Sequence, residues 1–538
     1  MKKRLFKLGR ERGYDILFVV ALLVFLYYSF LGINDPLSGS HHGYVIGEKA
    51  AFALNYLKFG FLDTKFGQRQ YTGWMLDEGT DGPYEYYVHH PVMVSILVAL
   101  SFLLFGVKES AARIVAIVFN FCTIMLLYAY AKEYWNRRVA FFAVFFMVAS
   151  TMLFYIRNFV CWESTALAFI NLLLLIYVLW LDNRIRLRYF FLTFFIGTFT
   201  EWQVYFLVPP LVIHYVFMTR MKRGWHFLLI IPIAILGFEI FLGHVYLLTG
   251  SPFGADKTAG SPSSLYNQLL FRLNIYEPWH IEGVTFDKIY DAVKNGITRY
   301  YSKMLLYAPV VLVLGLLVKL VWTRKFASIE RDSLPLLLYL SYIAWLFLFS
   351  NQTLIHDFQL YSLIPALPIL GAVALNQLAG VFEFIADKTK RIRLIIVSLG
   401  GIVTLIRGAF IIAVLALYVN YSYPVSLEIY KAVQPEPIIR FLSGVNENII
   451  VNYDQDPNYF QMRFYTNRVK TKKITDFNTF DIFMNTTNKD KSYRYFITWP
   501  YGMDANLDRN LRENYIYSEV PANPYQSYFV YDLKWRKA

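Results

Sequence analysis

Apolar stretches long enough to cross a bilayer recur from Tyr14 to about Val419, separated by short connections rich in lysine and arginine. Runs of about 20 apolar residues with few charges predict membrane-spanning helices. The pattern predicts about eleven crossings, over 14–33, 114–131, 138–156, 163–181, 188–200, 203–219, 226–248, 303–322, 334–350, 358–379 and 396–419. The pair 188–200 and 203–219 is short for two spans and puts Glu201 at its turn. Broken helices of that kind are tolerated only against a wet or protein-lined cavity. The apolar run 90–106 stays outside the count. Lys2, Lys3, Arg4, Lys7, Arg10 and Arg12 precede the first run, and such a basic flank stays cytoplasmic. The chain then leaves the membrane near Asn34. If Pro91 to Phe105 crossed back, Lys132, Arg137, Arg138, Arg184, Arg186 and Arg188 would all fall outside. A juxtamembrane or re-entrant helix at 90–106 keeps every basic connection inside.

Three stretches outside the membrane are large enough to carry function: the loop 34–113, the loop 249–302, and a tail from about Pro424 to Ala538. The second opens on a Gly/Ser/Pro stretch that reads as mobile. In the tail, strands are expected at 448–454, 471–474, 493–498, 515–520 and 527–533, and helices at 458–465, 480–484 and 505–513. That alternation predicts a small α/β domain with a mostly parallel sheet. The expected fold is therefore an α-helical polytopic membrane protein, with a membrane domain over 1–423, juxtamembrane helices in its first outer loop, and a small C-terminal extracytoplasmic α/β domain over 424–538.

Composition supports this class: 57% of the residues are hydrophobic and 19% aromatic. The net charge of +14 sits mostly in the cytoplasmic connections, so it reports orientation and not nucleic-acid binding. Cys122 falls mid-span and Cys161 in an outer connection, which argues against a disulfide. The first apolar run has no small-residue cleavage site and reads as an uncleaved anchor. Glu239 and Arg407 lie within predicted spans and are expected to pair. His214 is expected to be a satisfied packing residue.

Polar segments rich in His, Asp and Glu at the outer membrane surface point to a walled, hydrated site. The first loop carries Asp35, His41, His42 and Glu48, then His89 and His90 before Pro91. The second segment is Arg157 to Glu163, the third Thr200-Glu201-Trp202-Gln203, and the fourth Asn351 to Asp357 with His356. Bland alternatives exist for each. Glu163 could cap the helix that follows it, His356 and Asp357 could form a solvated turn, and the histidine pairs could make interfacial hydrogen bonds. Histidine with carboxylate also suits a divalent metal, though no helical His-x-x-x-His spacing supports one.

Residues Asp35-Pro36-Leu37, His41-His42-Gly43, Asn55 to Gly60, His89-His90-Pro91, Arg113, Arg157 to Glu163, Thr200-Glu201-Trp202 and His356 to Tyr361 together resemble GT-C membrane glycosyltransferases. These are the relatives of protein O-mannosyltransferases and of lipid A aminoarabinose transferase. The resemblance covers about the first 380 residues. It implies inverting transfer of a sugar from a polyprenyl-phosphate carrier to a lipid, glycan or protein acceptor at the extracytoplasmic face of the cell membrane. An acidic residue of the first loop ordinarily takes the acceptor's proton; here His41-His42-Gly43 stands in its place. The resemblance then ranks His42 first as base, with Glu48 and Asp35 behind. Glu163 matches a second outer carboxylate that orients the acceptor or a metal. His90, His356 and Arg157 would hold the donor phosphate, with His41, His89, Glu201 and Asp357 lining the site. A transporter of lipid-linked sugars is the alternative. Polar clusters at one surface and the absence of an internal repeat favour the enzyme.

Overall fold

The computed structural model describes the chain except residues 1, 39–40, 70–85, 255–263, 276–282, 326–328, 391–395, 433–436, 452–463, 466–470, 475, 487, 489–491, 499–502, 524–525 and 537–538. Helices dominate as far as Ala432, and a mixed sheet follows. Among the described residues, six helical stretches are long and apolar enough to cross a membrane: Arg12–Phe30, Glu109–Tyr134, Trp162–Leu181, Trp225–Thr249, Lys303–Thr323 and Ile406–Ile429. Their outward faces remain apolar where they are exposed, as at Val20, Leu23, Leu314, Val318 and Ile412. Such surfaces are stable against lipid.

The stretch expected to lie along the membrane is the helix Met93–Phe105, 13 residues long, and the predicted span 188–200 is the still shorter helix Leu187–Gly197; both fall below the usual length of a span. Several predicted spans are broken. The 138–156 run forms Arg137–Val148 and then Thr151–Ile156, because Ser150 adopts an extended conformation and its hydroxyl accepts the Leu153 N–H, restarting the helix with a new cap. The 203–219 run is a 3-10 turn Trp202–Leu207, an α-helix Val208–Ile213 and a π-turn His214–Met218. The 358–379 run starts as a 3-10 helix Asp357–Leu363 and becomes helical at Leu367–Lys390.

Two packings anchor the bundle. Glu109–Tyr134 lies along Trp162–Leu181. Leu367–Lys390 fills the space between Arg137–Val148, Lys303–Thr323 and Ile396–Ala432. Gly371 permits the second approach: a Cβ there would lie 2.2 Å from Leu305 Cδ2, the close contact that small residues allow between membrane helices. The expected Glu239–Arg407 pair does not form. Glu239 is exposed on its helix, and no ion pair joins the two residues.

The last apolar helix runs through Pro424 to Ala432, so the tail leaves the bundle beyond the position expected from sequence. After the two-stranded ribbon of the first loop, β1 Gln68–Arg69 and β2 Tyr86–Tyr87, the tail forms β3 Asn448–Val451, β4 Thr471–Lys473, β5 Tyr493–Thr498, β6 Tyr515–Asn523 and β7 Gln526–Arg536, in the sheet order β4-β3-β5-β7-β6. The expectation of a mostly parallel sheet is corrected. β3 pairs parallel with β4 and β5, but β7 pairs antiparallel with β5 and β6, because only two chain positions separate β6 from β7 and a hairpin must run antiparallel. Only Phe464 and Tyr465 of the expected helix 458–465 lie within the described residues.

Alternate strand positions divide between two cores. Ile450, Phe496, Tyr531 and Leu533 pack with Phe480, Leu507 and Leu511 of the tail helices. Ile449, Val451, Ile497, Tyr528 and Val530 belong to the cluster continuous with the membrane bundle. The period-2 alternation of strands thus seats the tail on the bundle with one sheet face.

Candidate active site

The site forms where the connection between Phe30 and Glu109 meets the start of the Trp162–Leu181 helix. The helix His41–Phe59 carries His42 and Lys49 at i and i+7. This spacing puts them on one face, about 10 Å apart along the axis. That face lies against Tyr155 to Trp162. The His42 ring stacks on Phe159 with centroids 4.5 Å apart and meets Tyr155 edge-on at 5.7 Å. Lys49 Nζ stands 3.0 Å from the Trp162 ring centroid, with Phe52 and Tyr87 at 5.5 Å. The ammonium is fully buried and forms an ion pair with the neighbouring Glu48. Burial pushes Lys49 below the usual lysine range, opposed chiefly by Glu48 and also by Glu163.

A short ribbon supplies the next wall. β1 Gln68–Arg69 pairs antiparallel with β2 Tyr86–Tyr87. Asn55 Nδ2 donates to the Arg69 carbonyl at 2.8 Å, which ties the ribbon to the first-loop helix. Gln68 Nε2 donates to the His90 carbonyl at 3.1 Å and its Oε1 accepts from Ser95 at 2.9 Å, fixing the turn that presents His90. The His90 ring stacks on Trp162 at 4.0 Å, and Tyr87 lies parallel to the same indole at 5.7 Å. Trp202 Nε1 donates to the His89 carbonyl at 2.9 Å, bringing Thr200 to Gln203 alongside.

His90 is held from both sides. Its Nδ1 lies 2.8 Å from Glu201 Oε2, and its Nε2 lies 2.6 Å from an Arg272 Nη2. Arginine can only donate, so Nε2 accepts, the ring is neutral, and the Nδ1–H donates to the Glu201 carboxylate. Burial, then the Arg272 and Lys49 charges, hold His90 well below the usual histidine range. Burial raises Glu201, while Arg272 and Lys49 oppose that rise. Arg272 ends the helix Leu265–Arg272. Asn351 Nδ2 donates to the Phe271 carbonyl at 2.8 Å, and Gln203 Nε2 donates to the Tyr361 hydroxyl at 2.6 Å. All four polar segments therefore converge.

Glu163 is the carboxylate without a cation bonded to it among the described residues, although the Cys161 thiol and its own backbone N–H hydrogen-bond its carboxyl group. The helix N-cap is Cys161, so Glu163 occupies the first turn and is not the cap. Glu48 is matched by Lys49, and Glu201 by Arg272 through His90. Glu163 is buried, lies within electrostatic range of Lys49, Arg272 and Glu201, and its Oε2 has no hydrogen-bond partner among the described residues. An unpaired buried carboxylate oxygen costs on the order of 1–3 kcal/mol or more unless a substrate uses it.

Other expected site residues lie elsewhere. Asp35 is exposed, and the backbone around it is clamped by Arg113, which donates to the carbonyls of Gly32, Ile33, Asp35 and Pro36. Arg157 donates to the carbonyls of Tyr28 at 3.1 Å and Phe154 at 2.7 Å and lies over the Phe154 ring. His356 is half-buried at the end of Ser350–Ile355, and its own N–H bonds Gln352. The side chains of His41 and Asp357 lie outside the described residues. Among the described residues, no group of three or more His, Cys, Asp and Glu is placed to hold a metal ion; Lys49 and Arg272 provide the positive charge beside the carboxylates.

Sequence reasoning missed Lys49, Arg272 and Trp162. Lys49 carried a signal, a cation at i+7 from His42 and next to Glu48 within a mostly apolar helical stretch. Arg272 carried none, because only the packing of the second loop brings it in.

The family model for dolichyl-phosphate-mannose-protein mannosyltransferases matches residues 89–246, the stretch carrying His90, Trp162, Glu163 and Glu201. No curated protein matches by sequence. Solved structures match along nearly the whole chain. The crystal structure of ArnT from Cupriavidus metallidurans in the apo state is 16% identical with a TM-score of 0.52, over 97% of this chain and 98% of that one. ArnT from the same organism bound to undecaprenyl phosphate is 15% identical with a TM-score of 0.54, over 96% and 98%. The archaeal oligosaccharyltransferase AglB from Archaeoglobus fulgidus, in complex with an inhibitory peptide and a dolichol-phosphate, is 10% identical with a TM-score of 0.50, over 98% and 75%. At these identities the shared property is the fold: this chain has the multi-pass helical membrane fold of the ArnT and AglB structures.

Proposed function

We propose that the protein is a membrane glycosyltransferase that moves a sugar, with inversion, from a polyprenyl-phosphate carrier to an acceptor at the extracytoplasmic face of the cell membrane. The observation that carries this reading is Glu163, whose unpaired carboxylate oxygen lies in a buried cluster with the cations Lys49 and Arg272. A general base requires a free oxygen aimed at a proton. A phosphate leaving group requires fixed positive charge in a dry site.

In the proposed reaction the acceptor's nucleophilic atom forms a bond to the anomeric carbon as the bond from that carbon to the carrier phosphate breaks. The acceptor's proton passes to Glu163. The electron pair of the broken bond leaves with the carrier phosphate, whose charge Lys49 and Arg272 stabilise. Lys49 is already paired with Glu48 and Arg272 with His90, so both cations are held in place before the charge develops. His42, stacked on Phe159 four positions before Glu163 in the chain, closes the side of the hollow toward the acceptor; Glu48 and Glu201 orient the cations. The hydrocarbon chain of the carrier fits the apolar groove of about 720 Å³ between Leu17–Leu31, Phe141–Phe154 and Val419–Leu427, whose lining includes Tyr28 and Phe154. These are the residues that Arg157 contacts.

Names of structural neighbours support the donor class: one ArnT structure contains undecaprenyl phosphate and one AglB structure a dolichol-phosphate. The test is cleavage. Purified protein in nanodiscs is incubated with a panel of polyprenyl-phosphate sugars, and released polyprenyl phosphate is measured. Release that depends on Glu163 supports the enzyme. Movement of intact donor across the bilayer without release would support a transporter instead.

A further inference from the structure

The tail reaches the first loop through a pair of aromatic residues, Phe464 and Tyr465, both buried. Phe464 lies near-parallel to Phe102 of the Met93–Phe105 helix, with ring centroids 6.2 Å apart. The Tyr465 hydroxyl accepts the Leu37 N–H at 2.8 Å and also engages Glu109, beside Arg113. The turn Asp35–Ser38 therefore has its backbone groups taken up from two directions. Arg113 donates to the carbonyls of Asp35 and Pro36 and to those just before them, while Tyr465 takes the following N–H. Buried main-chain groups of an irregular turn need such partners, and here one partner is supplied from more than 400 positions away in the chain.

This turn bears directly on the helix that carries Glu48 and Lys49. A Cβ on Gly43 would stand only 1.8 Å from the Ser38 carbonyl oxygen, so the first turn of His41–Phe59 is seated on Ser38 with no room for displacement toward it. Moving the turn moves the helix start. Lys49 lies two helical turns further on, and its ammonium must stay against Trp162 within a ring-contact distance of 3.0 Å.

We propose that Tyr465 is a positioning residue: docking of the tail through Phe464 and Tyr465 sets the seat of the His41–Phe59 helix and thereby the placement of Lys49 and Glu48. The consequence for transfer rests on the reading of the site given above; the mechanical coupling does not. Tyr465→Phe keeps the ring and its packing and removes the hydroxyl that Leu37 requires.

Hydrogen–deuterium exchange on the full-length protein in nanodiscs tests the coupling. Tyr465→Phe is expected to speed exchange at Leu37 and at the helix amides from Val45 to Lys49 by about fivefold to tenfold, the scale of one lost buried hydrogen bond. Exchange in β5 should not change, which controls for tail unfolding. Acceleration confined to Leu37, or no acceleration, overturns the proposal; so does matching acceleration throughout β5, which would make the effect one of global tail stability. In the same variant, turnover on the lipid-linked donor should fall about tenfold with KM within twofold, because pre-organisation and not ground-state binding is lost. Glu163→Gln separates the two ideas: it should abolish turnover and leave exchange at Val45–Lys49 unchanged. If Glu163→Gln remains active while the exchange pattern holds, the functional reading fails and the tail coupling stands.

Discussion

Two buried histidines mark opposite ends of the same helix pair, and their surroundings differ in kind. At one end His90 lies between a carboxylate, Glu201, and a guanidinium, Arg272, against the face of Trp162. At the other, His214 Nδ1 accepts from the Tyr177 hydroxyl at 2.8 Å, and its Nε2 donates to the Glu330 carbonyl at 3.0 Å with the Tyr134 hydroxyl at 3.2 Å. Tyr177 and Glu163 share one helix and are about 21 Å apart along it. Every group directly bonded to His214 is neutral, and both ring nitrogens are satisfied. The His90 cluster gathers three carboxylates and two cations and leaves Glu163 Oε2 unpaired. A saturated neutral network rigidifies a bundle. An unsaturated charged one is stable only because the surrounding fold holds it in place, and this is the condition a reactive site needs.

The sharpest break in that comparison is Glu163→Gln. Transfer should fall by about 100-fold or more, the range for loss of a general base, while membrane insertion and melting are retained; donor release assays measure it. Activity within tenfold of wild type would remove Glu163 from the chemistry. Next in size is Arg272→Met, expected to lower kcat/KM by about 10- to 100-fold through loss of one charge on the leaving phosphate, with Lys49→Met similar. Because the two cations act on one leaving group, the double variant should lose less than the product of the single effects.

At the opposite end, His214→Phe should act on stability alone. It leaves the Tyr177 and Glu330 partners unsatisfied and is expected to cost about 1–3 kcal/mol, read as a lower melting temperature with kcat within twofold. A large kcat loss without destabilisation would erase the distinction between the two regions. The smallest effect is a pH slope. Because His90 is held below its ordinary range, the unfolded chain takes up a proton at a pH where the folded protein does not. His90 therefore contributes full stability above about pH 6.5 and loses it as pH falls below that value, by at most about 1.4 kcal/mol per pH unit. Melting measured from pH 7.5 to pH 5 should show a steeper acid decline in wild type than in His90→Gln.

Much of this architecture is legible along the chain. The basic flank before Tyr14 and the shortness of 90–106 keep that run out of the predicted set of spans; it forms the 13-residue helix Met93–Phe105. The strand segments of the tail show in their alternation, since one face of each must be apolar. The place of β7 between β5 and β6 does not show, because it depends on which edge the β6–β7 hairpin joins. Asn351 illustrates the same limit at the site. Its Asn-Gln-Thr sequence suits surface glycosylation, yet the side chain is fully buried and carries the Phe271 carbonyl.

What the sequence by itself determined is the solvent each segment prefers. Period, length and flanking charge predict which stretches enter lipid, which lie along it and which stay in water, because transfer free energies are local and additive along a helix. Which ionisable groups meet was decided only by tertiary structure. Lys49, His90, Glu163, Glu201 and Arg272 come from separate segments of the chain, and their pairing depends on the packing of three helices and two connections. The Coulomb and desolvation terms that make such a cluster reactive vary over a few ångströms, a distance that no local pattern records.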